Sequence, residues 1–106
     1  MQDAVRELLA LTSTLSDDID SSIIERATPI LDQLVSPIEA DDVEALLSLL
    51  PSNGDTAFGL NWTILHAIES STAWPRWDLL VDNRNEWIDI LAARLKNAGH
   101  ERPDAF

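Results

Sequence analysis

The chain has 106 residues, of which 45% are hydrophobic, a share that suits one domain with its own core and excludes wholesale disorder. It has no cysteine, which excludes disulfides and thiolate metal sites and favours a reducing, cytoplasmic compartment. Nineteen acidic against seven basic residues give a net charge of −12, which argues against nucleic acid and anionic membranes as partners, because both are bound through Lys and Arg.

Apolar residues recur at helical spacing from Val5 onward and predict a first helix over about residues 3–15. This stretch lacks the basic start of a signal peptide, and no apolar run in the chain is long enough to span a membrane. A second helix is predicted over about residues 18–35. Because Pro29 lies inside it, we expect a kink or a break near Thr28.

The third helix has two competing predicted starts, one at Ser36 and one at Asp41, since each offers a capping residue followed by a glutamate three positions later. Pro51 ends this helix and opens a loop rich in turn residues. A fourth helix is predicted over about residues 60–70, directly after Gly59.

The C-terminal third predicts two further helical segments. A short one begins at Trp74-Pro75 and reaches about residue 81, and a connector follows it. The last helix is predicted over residues 86–98, with Asn85 as its cap and Gly99 as its stop signal. Residues 100–106 read as a flexible tail.

Together these segments predict an all-α fold of five to six short helices over residues 1–99, a single domain of antiparallel hairpins. The helices would form a compact bundle or a short HEAT-like stack. A sequence echo favours the stack, because residues 3–11 and 41–49 are identical at five of nine positions. Their offset of 38 residues is close to the period of stacked helical hairpins.

The negative charge is concentrated in residues 1–55, which hold twelve acids and two bases. Acids at helix N-termini are explained in part by capping. The surplus predicts an acidic face for a basic protein partner, whose approach such a field would accelerate. The alternative is that the acids are merely solvated and keep the protein soluble. The predicted partner-binding carboxylates are Asp17, Asp18, Asp20, Glu39, Asp41, Asp42 and Glu44.

All four tryptophans lie within residues 61–87, and each has an apolar neighbour at contact spacing on its own helix. Core filling is therefore the first interpretation. The second is that one or two rings anchor a partner, as tryptophans do at interface hot spots. Trp74 and Trp77 are the candidates for that role, because they flank Pro75 in a short connector.

No catalytic arrangement is recognisable, and we expect a protein that is not an enzyme and needs no cofactor. His66 has Glu69 one turn away but no nucleophile motif beside it, and His66 and His100 do not form a zinc-binding pair. The acidic runs at Asp17 and Asp41 resemble calcium loops but lack the glycine and glutamate that such loops require. No metal site is predicted.

Two resemblances add to this interpretation. The segments DVEALLSLLP (residues 42–51) and WIDILAARLKNAG (residues 87–99) look like helices of HEAT-type hairpins. The compact, acidic, cysteine-free helical type, with GLNWTILHAIE (residues 59–69) and WPRW (residues 74–77), resembles the immunity proteins encoded beside bacterial secreted toxins. That resemblance implies binding to a cognate basic toxin domain, such as a nuclease. The alternative is an adaptor that holds a basic peptide or helix in a groove.

Overall fold

The computed structural model describes residues 1–80 and 84–100. The end of the predicted short segment, the first half of the connector after it (together residues 81–83) and the predicted tail beyond residue 100 lie outside the described residues. Within those ranges the chain is all-helical and has no strand. This confirms the predicted fold class of short helices in a compact bundle. The helices are α1 (Asp3–Leu11), α2 (Ser21–Asp32), α3 (Ala40–Ser48), α4 (Leu60–Glu69) and α5 (Glu86–Asn97), with a 3₁₀ turn at Trp77–Leu79.

The first four helices form two antiparallel hairpins. In the first hairpin the Gln2 side chain, just before α1, donates to the Val35 carbonyl at 3.1 Å and accepts from the Val35 N–H at 3.0 Å, just after α2. In the second, the Ser71 hydroxyl after α4 donates to the Ile38 carbonyl before α3. Each contact joins the start of one helix to the end of the next, so the helices of each pair run in opposite directions.

The two hairpins stack, with α1 beside α3 and α2 beside α4. Helices α1 and α3 run in the same direction, because the Gln2 N–H bonds the Asp42 carboxylate at 3.1 Å and the Leu15 N–H bonds the Leu49 carbonyl at 2.8 Å. This is the layered arrangement that the sequence echo predicts. Two of the echoed apolar positions are fully buried in both helices, Val5 and Leu8 in α1 and Val43 and Leu46 in α3, whereas Leu9 is 38% exposed.

Helix α5 completes the core with Trp87, the largest fully buried side chain. Its ends are as predicted. The Asn85 side chain accepts from the N–H groups of Trp87 and Ile88, and Gly99 adopts a φ of +92°. That left-handed residue lets the His100 N–H reach the Leu95 carbonyl at 2.9 Å, which satisfies a carbonyl at the helix end.

The structure differs from three of the predictions about helix ends and breaks. Helix α1 ends at Leu11, and Leu15 is fully buried from a loop that bonds to α3. Helix α2 is continuous through Pro29 and shows no break. Helix α3 begins at Ala40 and uses neither predicted start, because Asp42 bonds backward to the Glu39 N–H at 3.1 Å.

Candidate partner-binding surface

An acidic loop (residues 16–20) joins α1 to α2 and lies against the loop that precedes α4. The Asp17 carboxylate accepts from the Ala57 N–H at 2.9 Å, and the Asp17 N–H donates to the Asp55 carboxylate at 3.0 Å. These two bonds bring a fourth acid, Asp55, beside Asp17 although it lies 38 residues later in the chain. Asp18 and Asp20 follow directly, so four carboxylates gather at this end of the molecule.

The facing loop, called here the Phe58 loop (residues 51–59), is held from inside the protein. The Asp55 carbonyl accepts from the Asn61 side chain and from the Trp87 indole N–H, each at 2.8 Å. Asn61 is fully buried and also donates to the Leu15 carbonyl at 2.7 Å. The Phe58 loop is therefore fastened to the acidic loop, to α4 and to α5.

Three successive residues at the end of the Phe58 loop have left-handed backbone conformations: Ala57 at φ +49°, Phe58 at +57° and Gly59 at +93°. Such angles are unfavourable for any residue except glycine. Ala57 is fully buried, whereas Phe58 is 73% exposed. The turn thus places an aromatic ring in solvent beside the acidic loop.

A second aromatic ring is exposed on the first turn of α4. Trp62 is 39% exposed and makes an edge-to-face contact with the buried Trp87, with ring centroids 5.0 Å apart and planes at 75°. The Trp62 ring is held by this stacking and still presents part of its surface to solvent. Phe58 and Trp62 are the two aromatic residues most open to solvent in the described parts of the chain.

The acidic loop is not neutralised by neighbouring cations. Among residues 1–80 and 84–100, none of Asp17, Asp18, Asp20 and Asp55 forms a salt bridge with Lys or Arg. Hydrogen bonds from the backbone N–H and then the hydroxyl of Ser22 lower the pKa of Asp20, which caps α2. The net charge of this end therefore reaches solvent.

The other predicted carboxylates lie at the opposite end of α3, and this corrects the prediction of a single seven-carboxylate face. Asp42 is buried and accepts from the backbone N–H groups of Gln2 and Glu39, so it cannot contact a partner. Helix α3 has nine residues. At 1.5 Å per residue it separates the two groups by about 13 Å.

Two cations pair with carboxylates at this second end. Asp41 pairs with the amino group of Met1 at 2.8 Å, and that hydrogen bond lowers the pKa of Asp41. Glu44 pairs with Arg76 at 2.9 Å, and Arg76 also holds Asp78 at 2.8 Å. Glu39 remains exposed without a salt bridge among the described residues.

The structure packs Trp74 and Trp77 against the core, where both are only partly exposed. This agrees with the interpretation of these rings as core filling and makes them weaker candidates for partner anchors than Phe58. The residues that the sequence did not single out are Asp55, Phe58 and Trp62. A signal for Phe58 did exist, since an aromatic residue between loop residues and a glycine is unusual in a turn.

A shallow apolar groove runs between α1 and α2. It is lined by Glu7, Ala10, Leu11, Arg26, Pro29 and Ile30. Its apolar centre carries one acid and one base at its margins. Its shape is open enough to receive a helix or an extended peptide.

A polar cluster of His66, Glu69 and Arg94 lies on the surface of α4 and α5. His66 is exposed, with its Nδ1 3.8 Å from Glu69, and Arg94 of α5 grips the same carboxylate at 2.7 and 2.9 Å. In the described ranges no three His, Asp or Glu side chains are grouped so that they could hold a metal ion. Every helix there is too short or too polar to cross a membrane.

No protein-family profile, curated protein or solved structure matches this chain. The resemblances to HEAT-type hairpins and to immunity proteins therefore rest on the sequence patterns and on the type of fold.

Proposed function

We propose that this chain is a non-enzymatic binding protein that docks its acidic loop end on a basic protein. One observation carries the proposal. Asp17, Asp18, Asp20 and Asp55 form no salt bridge with Lys or Arg among the described residues, and they lie beside an exposed aromatic ring on a loop that is hydrogen-bonded to the core. A merely solvated acidic surface does not require such a ring.

The resemblance to immunity proteins names the kind of partner that we propose, a cognate basic toxin domain such as a nuclease. An enzyme that acts on nucleic acid presents Lys and Arg where phosphates bind. Carboxylates held at fixed positions would occupy those places. In this interpretation the acidic loop imitates the charge of the toxin's substrate and blocks its site.

The charge distribution supports attraction at long range. Residues 1–55 carry most of the net charge of −12, and opposite charge on a partner raises association rates steeply at low ionic strength. Pairing of Asp41 with the Met1 amino group and of Glu44 with Arg76 reduces the negative field at the opposite end, whereas the acidic loop has no salt bridge to Lys or Arg among the described residues. We therefore expect the partner to approach this end first.

The test compares two charge reversals that change the net charge equally. Asp18 is exposed in the acidic loop and Asp32 is exposed at the far end of α2, twelve residues of helix away. The partner is captured from host extract at low salt on the immobilised protein and identified by mass spectrometry, and association rates are then measured. We expect D18K to slow association about tenfold or more at low salt and D32K to change it little.

Equal association rates for D18K and D32K would contradict docking through the acidic loop, as would an elution profile that does not depend on salt. Circular dichroism checks that both variants keep the helical content of the parent. We expect them to do so, because neither side chain makes a hydrogen bond that α1 to α4 require. A gene for a basic secreted toxin beside this one would strengthen the immunity interpretation.

The groove between α1 and α2 favours a second candidate, an adaptor that binds a helix or peptide through apolar contacts. Ala10 lies in this groove and is exposed, so A10R should fill it without disturbing the core. If the adaptor role is correct, A10R abolishes binding and salt has little effect. If the acidic loop is the binding surface, A10R binds like the parent.

A further inference from the structure

Phe58 is an unusual residue for its position. Its ring is 73% exposed, although burying an aromatic ring is among the largest apolar gains that a small domain can obtain. Its backbone is left-handed at φ +57°, where glycine would be unstrained. The chain thus forgoes stability twice at one residue, once in the side chain and once in the backbone.

The neighbours of Phe58 show that the strained turn is held in one conformation. The Ala57 N–H is fixed by the Asp17 carboxylate at 2.9 Å, and the Gly59 and Asn61 N–H groups bond the Thr56 carbonyl, each at 3.0 Å. A ring presented on a rigid turn loses little conformational entropy on binding. Strained residues that the surrounding structure over-determines are typical of functional sites.

The charge beside the ring selects the kind of surface that can cover it. A second copy of this chain would bring two acidic loops together, and that repulsion disfavours a homodimer through Phe58. An anionic lipid surface is repelled for the same reason. A protein with Lys or Arg around an apolar pocket is attracted by the carboxylates and can receive the ring.

Building on the function proposed above, we propose that Phe58 is the anchor residue of this surface. It inserts into an apolar pocket, rimmed by Lys or Arg, on the protein partner. The carboxylates of Asp17, Asp18 and Asp55 then pair with that rim. In this division of roles the acidic loop sets how fast the complex forms, and the Phe58 ring sets how long it lasts.

Three variants separate the ring from the backbone that carries it. F58A removes the ring and F58G removes both the ring and the strain. A57G, the matched control, relaxes the neighbouring left-handed residue and keeps the ring. Binding is measured to the basic protein that the parent captures from host extract at low salt. We expect F58A and F58G to bind about 30-fold more weakly or worse, chiefly through faster dissociation.

Thermal melting of the same variants tests whether the ring serves the fold instead. We expect F58A, which keeps a side chain with a Cβ at this position, to melt within a few degrees of the parent, because the ring that it removes is 73% exposed. A57G should keep its affinity. A much lower melting temperature for F58A would show that the ring stabilises the fold, and this would overturn the proposal.

The outcomes also separate this inference from the function on which it rests. Suppose that the parent captures a basic protein, that D18K slows its association and that F58A binds it as tightly as the parent. The anchor role of Phe58 is then wrong, and the proposal of an acidic docking surface is retained. If the parent captures no basic protein in a salt-dependent manner, both are overturned. Weakened binding by A57G equal to that of F58A would mean that loop rigidity, not the ring, carries the affinity.

Discussion

At the scale of single residues, the same side-chain type serves opposite purposes in this protein. Asp18 is exposed and without a hydrogen bond among the described residues, whereas Asp42 is buried and holds two backbone N–H groups. In the sequence both are the second acid of an Asp-Asp pair near the start of a helix. The structure distinguishes them, because Asp42 lies within α3 and accepts from the Glu39 N–H and from the N–H of Gln2, forty residues away.

Among the residues of the candidate surface, we expect substitution of Asn61 to reduce the stability of the fold most. Its buried amide donates to the Leu15 and Asp55 carbonyls and so joins the acidic loop to the Phe58 loop. N61A should lower the free energy of unfolding by about 2–4 kcal/mol, because two buried carbonyls lose a donor. Urea denaturation measures this change.

The control for that variant is N53A in the same loop. Asn53 is exposed and makes one local bond, to the Asp55 N–H at 3.1 Å. Its removal should cost under about 1 kcal/mol. Equal losses for N61A and N53A would mean that the buried amide does not hold the two loops together.

At the scale of elements, the start of α2 should respond to acid through Asp20. Hydrogen bonds from Ser22 lower the pKa of Asp20 from its ordinary value of 3.8, so the ionised cap stabilises the folded state. This contribution is complete above about pH 4 and is lost as the pH falls through the lowered pKa. The difference in melting temperature between the parent and D20A should therefore be constant from pH 7 to about pH 4 and narrow below it.

The variant D20N serves as the control, because asparagine caps helices about as well as aspartate and does not titrate. It should keep its cap through the same acid range. A difference between the parent and D20A that widens on acidification would contradict the assignment of Asp20 as an ionised cap.

Helix α2 also contains Pro29, which removes one hydrogen bond from a helix that is otherwise continuous. P29A should restore that bond and raise the free energy of unfolding by about 1–3 kcal/mol. Part of this gain is offset, because proline restricts the unfolded chain and alanine does not. The helical signal in circular dichroism should rise slightly. T28A, which leaves the proline in place, is the comparison, and a loss of stability in P29A would show that the proline shapes the groove.

At the scale of the whole molecule, the excess of acids opposes folding. The molecule measures 43 × 28 × 19 Å, and at 0.01 M salt the screening length is about 30 Å, so most carboxylates repel one another. Raising the salt to 0.5 M should increase the melting temperature by several degrees. A lower melting temperature at 0.5 M salt would mean that the ion pairs of Arg76 and Arg94 stabilise the fold by more than the repulsion between carboxylates destabilises it.

The stacking of the hairpins determines where charge can appear on this molecule. Because α1 and α3 run in parallel, the loops after them meet at one end and their N-termini meet at the other. The first end gathers the acidic loop and the Phe58 loop. At the second end Asp41 pairs with the Met1 amino group and Glu44 with Arg76, so the single predicted acidic face is replaced by two acidic ends. Among the described residues only the second end has salt bridges to cations.

The sequence by itself determined the helices, because amphipathic spacing and end signals such as Asn85 and Gly99 act over a few neighbouring residues. It also indicated the stacked hairpins, through the echo between residues 3–11 and 41–49. Only the tertiary structure decided which carboxylates reach solvent and that Phe58, not Trp74, is the most exposed ring. The reason is physical: burial and hydrogen-bond partners depend on contacts between residues some forty positions apart, and local patterns carry no information about them.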